Sequence, residues 1–127
     1  MKKIISIAIL LLAGSLYANT FQCHDVYTTM TTQKGTAPYQ VEGTKGNGNT
    51  KLSIEFKKEK VVLTVKAQKE ELIYLGKGQG TMYLLEQTTS GNNNLYTIFD
   101  DGTLTISKSY DVFGMAKVNV QTMYKCQ

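Results

Sequence analysis

The chain has 127 residues, two cysteines and 14 lysines against ten carboxylates, which gives a formal net charge of +4. It contains no arginine, and lysine lacks the planar guanidinium that binds phosphates and guanine edges through paired hydrogen bonds. Glutamates interrupt the lysines at 57–60 and 69–71, a pattern typical of a solvated mixed-charge surface, so nucleic acid is not an expected partner.

The N-terminus has the three parts of an export signal. Two lysines precede an apolar run from Ile4 to Ala13, which is too short to span a bilayer as a helix. Small residues follow, and we expect cleavage after Ala18, with cleavage after Ser15 as the alternative. Lipid attachment would require a cysteine at position 15 rather than a serine. The sequence therefore predicts a signal peptide at 1–18 and a periplasmic or secreted protein that is not a lipoprotein and has no mature membrane span.

Residues 19–127 are enough for a single domain. Cys23 and Cys126 stand near its two ends. In an oxidising compartment, two cysteines in a small domain favour one structural disulfide. A closed loop of about 100 residues would add up to about 4.7 kcal/mol of stability in the chain-entropy model. Because a disulfide joins neighbouring segments, the sequence predicts that the first and last strands lie side by side.

The first part of the domain combines a strand candidate with a long glycine-rich stretch. Residues 21–29 predict a strand that carries Cys23, and Thr31 to Thr50 predict a loop of about 20 residues. Loops of this length in a compact domain are often functional. We interpret the stretch as a mobile loop, with a binding loop as the alternative, in which the candidate contact residues are Tyr39, Glu42, Lys45 and Asn47.

Apolar and polar residues alternate clearly in the middle of the chain. Residues 51–57 and 61–66 predict two strands joined by the charged residues 57–60. Their apolar positions, which can share one core, are Leu52, Ile54, Phe56, Val61, Leu63 and Val65. The glycine-bounded runs 72–75 and 82–85 predict two central strands.

The last third predicts another hairpin and a final strand. Asp101-Gly102 favours a two-residue type I′ turn, which would pair Phe99 with Leu104 and Ile98 with Thr105. Residues 111–116 fit a short helix or a turn. Alternation over 118–124 then predicts a strand that runs into Cys126.

These elements predict an all-β fold. About eight antiparallel strands joined by short turns form an up-and-down meander. A disulfide between the first and last strands brings the sheet edges together, so we expect a small, partly closed barrel. A two-sheet sandwich is the alternative.

No residue pattern indicates catalysis, a cofactor or a metal. His24 is the only histidine, and in a strand Asp25 would point to the opposite face, so the two cannot form a dyad. The glycines of 76–81 fit neither phosphate-loop spacing nor dinucleotide-loop spacing, and 100–102 lack the ladder of a calcium loop. Carboxylates for glycoside hydrolysis can be recognised only by geometry; the unassigned candidates are Glu42, Glu55 and Glu86.

The chain resembles the bacterial C-type lysozyme inhibitors in the order of its features. These are an export signal, Phe21-x-Cys23, a β meander and a cysteine at the extreme end. The resemblance implies a small periplasmic β-barrel with an inhibitory Ser-Gly followed within a few residues by a tyrosine. Here Ser90-Gly91 is followed by Tyr96, which is farther along the chain than the motif requires. Residues 80–83 match the spacing better, but Gln79 stands where the motif has its serine.

Our leading functional hypothesis is a non-enzymatic binding or accessory module of the bacterial envelope. Its partner would be an envelope protein or a small ligand. The alternatives are a lysozyme-inhibitor-like protein and a cell-wall glycan hydrolase of carboxylate type.

Overall fold

A computed structural model describes residues 20–89 and 91–127; the predicted signal peptide at 1–18 lies outside the described residues. The regular elements in these two ranges are β-strands, and neither range contains a helix long and apolar enough to cross a membrane. The strands are β1 (Thr20–Lys34), β2 (Gln40–Lys45), β3 (Lys51–Phe56), β4 (Val61–Val65), β5 (Gln68–Lys77), β6 (Thr81–Gln87), β7 (Asn93–Phe99), β8 (Thr103–Val112) and β9 (Ala116–Cys126).

The predicted all-β barrel is confirmed. Strands β3 to β9 follow one another in an antiparallel meander, and β1 pairs with both β3 and β9, which closes eight strands into a barrel. The ninth strand, β2, is an additional strand on β1. Full closure removes the exposed sheet edges of a sandwich, so the barrel rather than the sandwich describes the fold.

The predicted disulfide joins the strands that close the barrel. Cys23 of β1 and Cys126 of β9 stand directly opposite each other in the ladder, with their Cα atoms 4.1 Å apart. The ladder between these strands runs from this pair to Lys34 and Ala116. Both the covalent bond and the backbone hydrogen bonds therefore connect the two ends of the domain.

The predicted inward residues of β3 and β4 lie in the core or pack against it, although Val62, predicted to face outward, is also buried. Ile54 is fully buried, and Leu52, Val61 and Leu63 are each less than a tenth exposed. The core of the barrel combines them with residues from six further strands: Cys23, Leu72, Leu84, Tyr96, Ile98, Leu104 and Tyr124.

The prediction of a loop from Thr31 to Thr50 is wrong. β1 continues to Lys34, and β2 follows after the turn at 35–39. All six residues of β2 are exposed, because this strand pairs with β1 along one edge and covers no core. A strand without a buried face shows no apolar alternation, so its sequence resembles a loop.

The predicted register of the β7–β8 hairpin is wrong by one residue. Ile98 pairs with Leu104 instead of Thr105. Gly102 has a positive φ of 89° and its N–H donates to the carbonyl of Phe99 at 3.0 Å. This is the three-residue connection in which a left-handed glycine follows an ordinary turn, rather than a type I′ turn. The shift places Ile98 and Leu104 together in the core.

Four strands extend beyond the barrel and form what we call the arm. It consists of residues 27–34 of β1, β2, residues 109–112 of β8 and residues 116–120 of β9. These segments pair with one another and not with β3 to β7. The interval 111–116, predicted as a short helix or a turn, ends β8, makes the turn at 113–115 and begins β9.

Candidate functional site

A cavity of about 170 Å³ opens at the mouth of the barrel, where the arm begins. A cavity of about 150 Å³ can hold a benzene molecule, so this one accommodates a small organic group. It lies between the starts of β3 and β7, the end of β4, and the middle of β8 and β9. The residues that line it are Thr50, Lys51, Leu52, Val65, Asn94, Tyr96, Ile106, Lys108, Thr122 and Tyr124.

The lining of the mouth cavity is apolar on one side and hydrogen-bonding on the other. Leu52 belongs to the core, and Val65 and Ile106 pack against it. The polar part consists of Asn94, Thr122, Tyr124 and two lysines. No carboxylate of the described residues lines the cavity.

Lys108 is the lysine that the strand register directs into the mouth. It stands opposite Asn94 on one side and Val120 on the other, in a row that continues the inward face of β8 above Ile106. Lys51 stands beside His24, on the face opposite Leu52. It therefore borders the cavity only at its edge.

A buried carboxylate lies behind this lining. Glu86 of β6 is 8 % exposed, and its Oε1 accepts hydrogen bonds from the Tyr96 hydroxyl at 2.7 Å and the Asn94 amide at 2.9 Å. Buried polar groups require such partners because an unpaired one is costly. The network fixes the orientation of Asn94 and Tyr96, which both face the cavity.

Glu70 and Glu86 influence each other's pKa. Hydrogen bonding to Glu86 and its negative charge raise the pKa of Glu70. Burial raises the pKa of Glu86, but hydrogen bonds with Glu70, Asn94 and Tyr96 and the charge of Lys108 outweigh burial, so its pKa is lowered. The pKa of Glu86 therefore lies below that of Glu70, and burial next to Glu86 raises the pKa of Tyr96 well above the usual value.

Asp25 holds the opposite wall of the mouth in place through two hydrogen bonds. Its Oδ1 accepts the N–H of Thr50 at 3.0 Å, and its own N–H donates to the Thr50 carbonyl at 3.0 Å. These two bonds hold the connection between β2 and β3 against β1. Burial and the charge of Asp25 raise the pKa of Tyr124.

The structure does not bring the four predicted contact residues together. Tyr39 is 68 % exposed in the turn before β2. Glu42 and Lys45 stand opposite Met30 and Tyr27, so they project from opposite faces of β2. Asn47 accepts the N–H of Asn49 at 2.9 Å. None of the four lines the mouth cavity.

The three unassigned carboxylates lie on three strands: Glu42 on β2, Glu55 on β3 and Glu86 on β6. Only Glu86 is buried. Elsewhere in 20–89 and 91–127, no group of three or more histidine, cysteine or carboxylate side chains is placed to hold a metal ion.

The sequence analysis missed the mouth residues, although it contained a signal for them. Asn94 and Lys108 occupy strand positions whose neighbours two residues away, Tyr96 and Ile106, face the core. A polar residue that interrupts an apolar face in this way marks the end of the core. The signal is readable only once the strand register is known.

Comparison with known proteins adds no assignment. No protein-family model, no curated protein and no solved structure matches the chain.

Proposed function

We propose that the protein is an exported, non-enzymatic binding module of the bacterial envelope, and that the barrel mouth binds a small carboxylate with a short apolar part. One observation carries this proposal: Lys108 projects into a cavity whose lining contains no carboxylate. The remaining donors and the apolar wall fit the two halves of such a ligand.

The charges at the mouth support an anionic ligand. Lys108 and Lys51 are the charged residues of the lining, and Glu86 behind it is already supplied with hydrogen bonds. A ligand carboxylate at Lys108 would also reach the hydroxyl of Thr122 or Tyr124. Hydrogen bonds to charged groups contribute about 1.5–3 kcal/mol each when well formed, and less at an exposed lysine such as Lys108.

The size of the cavity sets the scale of the ligand. About 170 Å³ holds a ring or a short acyl chain, and the apolar side chains that would receive it are Leu52, Val65 and Ile106. Pockets of this kind combine apolar walls with a few polar groups that orient the ligand.

The geometry of the two glutamates favours binding over glycan hydrolysis. Glycosidases hold their carboxyl groups about 5–5.5 Å or 6.5–9.5 Å apart, with the sugar between them. Glu86 instead accepts hydrogen bonds from Asn94 and Tyr96, and neither Glu70 nor Glu86 lines the cavity. Glu86 is therefore a structural support of Asn94 and Tyr96.

The proposed location rests on the signal-peptide pattern at 1–18 and on the disulfide. A bond between Cys23 and Cys126 is typical of an oxidising compartment such as the periplasm.

The binding proposal can be tested with two matched pairs of probes. Benzoate and hexanoate would be titrated into residues 19–127 and followed by NMR, with benzyl alcohol and hexanol as uncharged counterparts. We expect the carboxylates to shift the resonances of mouth residues and the alcohols to bind at least about tenfold more weakly, a difference of about 1.4 kcal/mol.

Charge-removing variants locate the site. Lys108→Gln should weaken benzoate binding about tenfold or more, and Lys51→Gln should weaken it less because Lys51 only borders the cavity. Lys58→Gln, in the exposed turn at 57–60, is the matched control and should bind as the wild type does. Equal binding by all three variants, or no carboxylate binding at all, would refute the proposal.

A further inference from the structure

The arm ends in an exposed apolar hairpin tip. The tip comprises residues 112–116, Val-Phe-Gly-Met-Ala, which join β8 to β9. Phe113 is 93 % exposed and Met115 is 71 % exposed. A run of exposed apolar residues costs solubility and is retained in proteins mainly where it contacts a partner.

The backbone holds this tip in a defined shape. Phe113 has a φ of 53°, a left-handed conformation that is rare for a bulky residue and persists where the surroundings impose it. The N–H of Met115 donates to the Val112 carbonyl at 2.8 Å, and the N–H of Gly35 donates to the Met115 carbonyl at 3.1 Å. The second bond places the turn at 35–39, with the exposed ring of Tyr39, beside the tip.

We propose that this tip docks the protein onto a lipid bilayer, with Phe113 and Met115 inserted between the acyl chains just below the headgroups. The occupant is lipid rather than protein because the exposed side chains of Phe113 and Met115 are surrounded by tyrosines and lysines, the residues that contact lipid headgroups. A protein partner would need a preformed pocket of complementary shape, whereas fluid lipid can surround a projecting side chain.

The side chains around the tip match the chemistry of a bilayer surface. The ring of Tyr39 lies beside the apolar tip, and Tyr110 stands two residues before Val112, opposite Val118. Lys34 stands opposite Ala116, and Lys117 follows in β9. Tyrosine is enriched at membrane interfaces, and lysine extends to the headgroup phosphates. Asp111 faces Lys117, so the charge contribution is small and apolar insertion carries the docking.

The mouth-facing side of the arm connects the tip to the barrel. Register pairs place an apolar band on the same face as Lys108. Its members are Val112, Tyr110, Val118, Val120 and Met30. A docked arm would place this band between the bilayer and the mouth. An amphipathic carboxylate could then pass along the band from the bilayer to the mouth. This transfer rests on the proposed function, whereas the docking does not.

The test uses the absence of tryptophan from the chain. Phe113→Trp places one fluorophore at the tip, and Leu75→Trp places one at a 53 % exposed apolar position on β5 as the matched control. Vesicles of phosphatidylethanolamine and phosphatidylglycerol, and vesicles of phosphatidylcholine alone, would be added to residues 19–127. We expect F113W emission to shift to shorter wavelength and to be quenched by brominated acyl chains, and L75W emission to stay unchanged.

Flotation with the same vesicles provides the second measurement. The double variant F113S/M115S should partition about tenfold or more weakly than the wild type, because its two largest exposed apolar side chains are lost, and Leu75→Ser should float as the wild type does. Lys34→Gln should weaken binding slightly, and only on vesicles with phosphatidylglycerol.

Unchanged F113W fluorescence with both vesicles, or equal flotation of F113S/M115S and the wild type, would overturn the proposal. Benzoate titration without vesicles reports on the mouth alone, so loss of carboxylate binding together with normal flotation would remove the proposed function and leave the docking intact.

Discussion

The hydroxyl of Tyr96 donates a 2.7 Å hydrogen bond to the carboxylate of Glu86, and both side chains are less than a tenth exposed. This bond joins β7 to β6 at the level where the apolar core gives way to the mouth. The two residues depend on each other: the carboxylate needs donors, and the phenol needs an acceptor.

We expect Tyr96→Phe to lower the free energy of unfolding by about 1–3 kcal/mol, because it removes a donor from a buried carboxylate without replacing it. Urea unfolding at pH 7 measures the change. Tyr39→Phe removes a hydroxyl from an exposed ring and should stay within about 0.5 kcal/mol of the wild type. A fully stable Tyr96→Phe protein would indicate that water supplies the missing donor.

The lowered pKa of Glu86 predicts a loss of stability in acid. Its pKa in the folded state lies below the unfolded value of about 4.3. The stabilisation is therefore complete above that value and is lost as the pH falls through the folded pKa. The pKa of Asp101 is lowered by the Thr103 N–H, which acts in the same direction. Glu70, with a raised pKa, acts in the opposite direction but is exposed to solvent.

Glu86→Gln removes the charge of this side chain but keeps its ability to accept hydrogen bonds, so the two contributions can be measured separately. The amide oxygen can still accept from Tyr96 and Asn94, and the amide nitrogen can donate to an ionised Glu70. We expect stability near that of the wild type at pH 7 and a smaller loss between about pH 5 and pH 3. Urea unfolding at several pH values gives both curves. Superimposable curves would show that Glu86 does not control the acid transition.

Removal of the disulfide should destabilise the barrel without changing its fold. Cys23 and Cys126 are 103 residues apart in sequence, and losing a native disulfide from a small secreted domain typically costs about 2–5 kcal/mol. The double variant Cys23→Ala/Cys126→Ala keeps the β1–β9 ladder. We expect a lower melting temperature with an unchanged far-ultraviolet circular dichroism spectrum, and equal melting temperatures would contradict this role.

Gly102→Ala should destabilise the protein more than Gly91→Ala. Both glycines have a φ of 89°, but a Cβ at Gly102 would lie 2.9 Å from the backbone oxygen of Cys126, whereas one at Gly91 meets no atom within 4 Å. The left-handed conformation alone costs about 1–2 kcal/mol for a residue with a side chain. Chemical unfolding of both variants isolates the steric cost at Gly102. Equal losses of unfolding free energy would indicate that β9 moves away from the added Cβ without an energetic cost.

The strands with a buried face could be predicted from the sequence. In β3 and β4 every second side chain faces the core, so hydrophobic alternation located both strands and their inward residues. The disulfide followed from two cysteines near the ends of a small domain behind a predicted export signal. β2 could not be found this way, because its only stabilising contacts are backbone hydrogen bonds and neighbours on one strand.

The candidate site was largely hidden in the sequence. Glu86, Asn94 and Lys108 come from three strands: the β6–β7 register places Glu86 opposite Asn94, and the β7–β8 register places Asn94 opposite Lys108. Reading the β7–β8 turn as two residues instead of three shifts every pair between these two strands by one residue. The predicted contact residues were chosen from a presumed loop, so they lie on β2 and in the connections on either side of it and not at the mouth.

The pairing of β1 with β9 also determines when this molecule can fold. β1 is the first strand to be made, yet its longest ladder requires the last residues of the chain. Contacts between such distant segments form slowly, since the intervening chain must be organised first. The barrel therefore cannot close until β9 is present: β1 is made before the other eight strands, yet it leaves one side of its longest ladder unpaired until β9 follows.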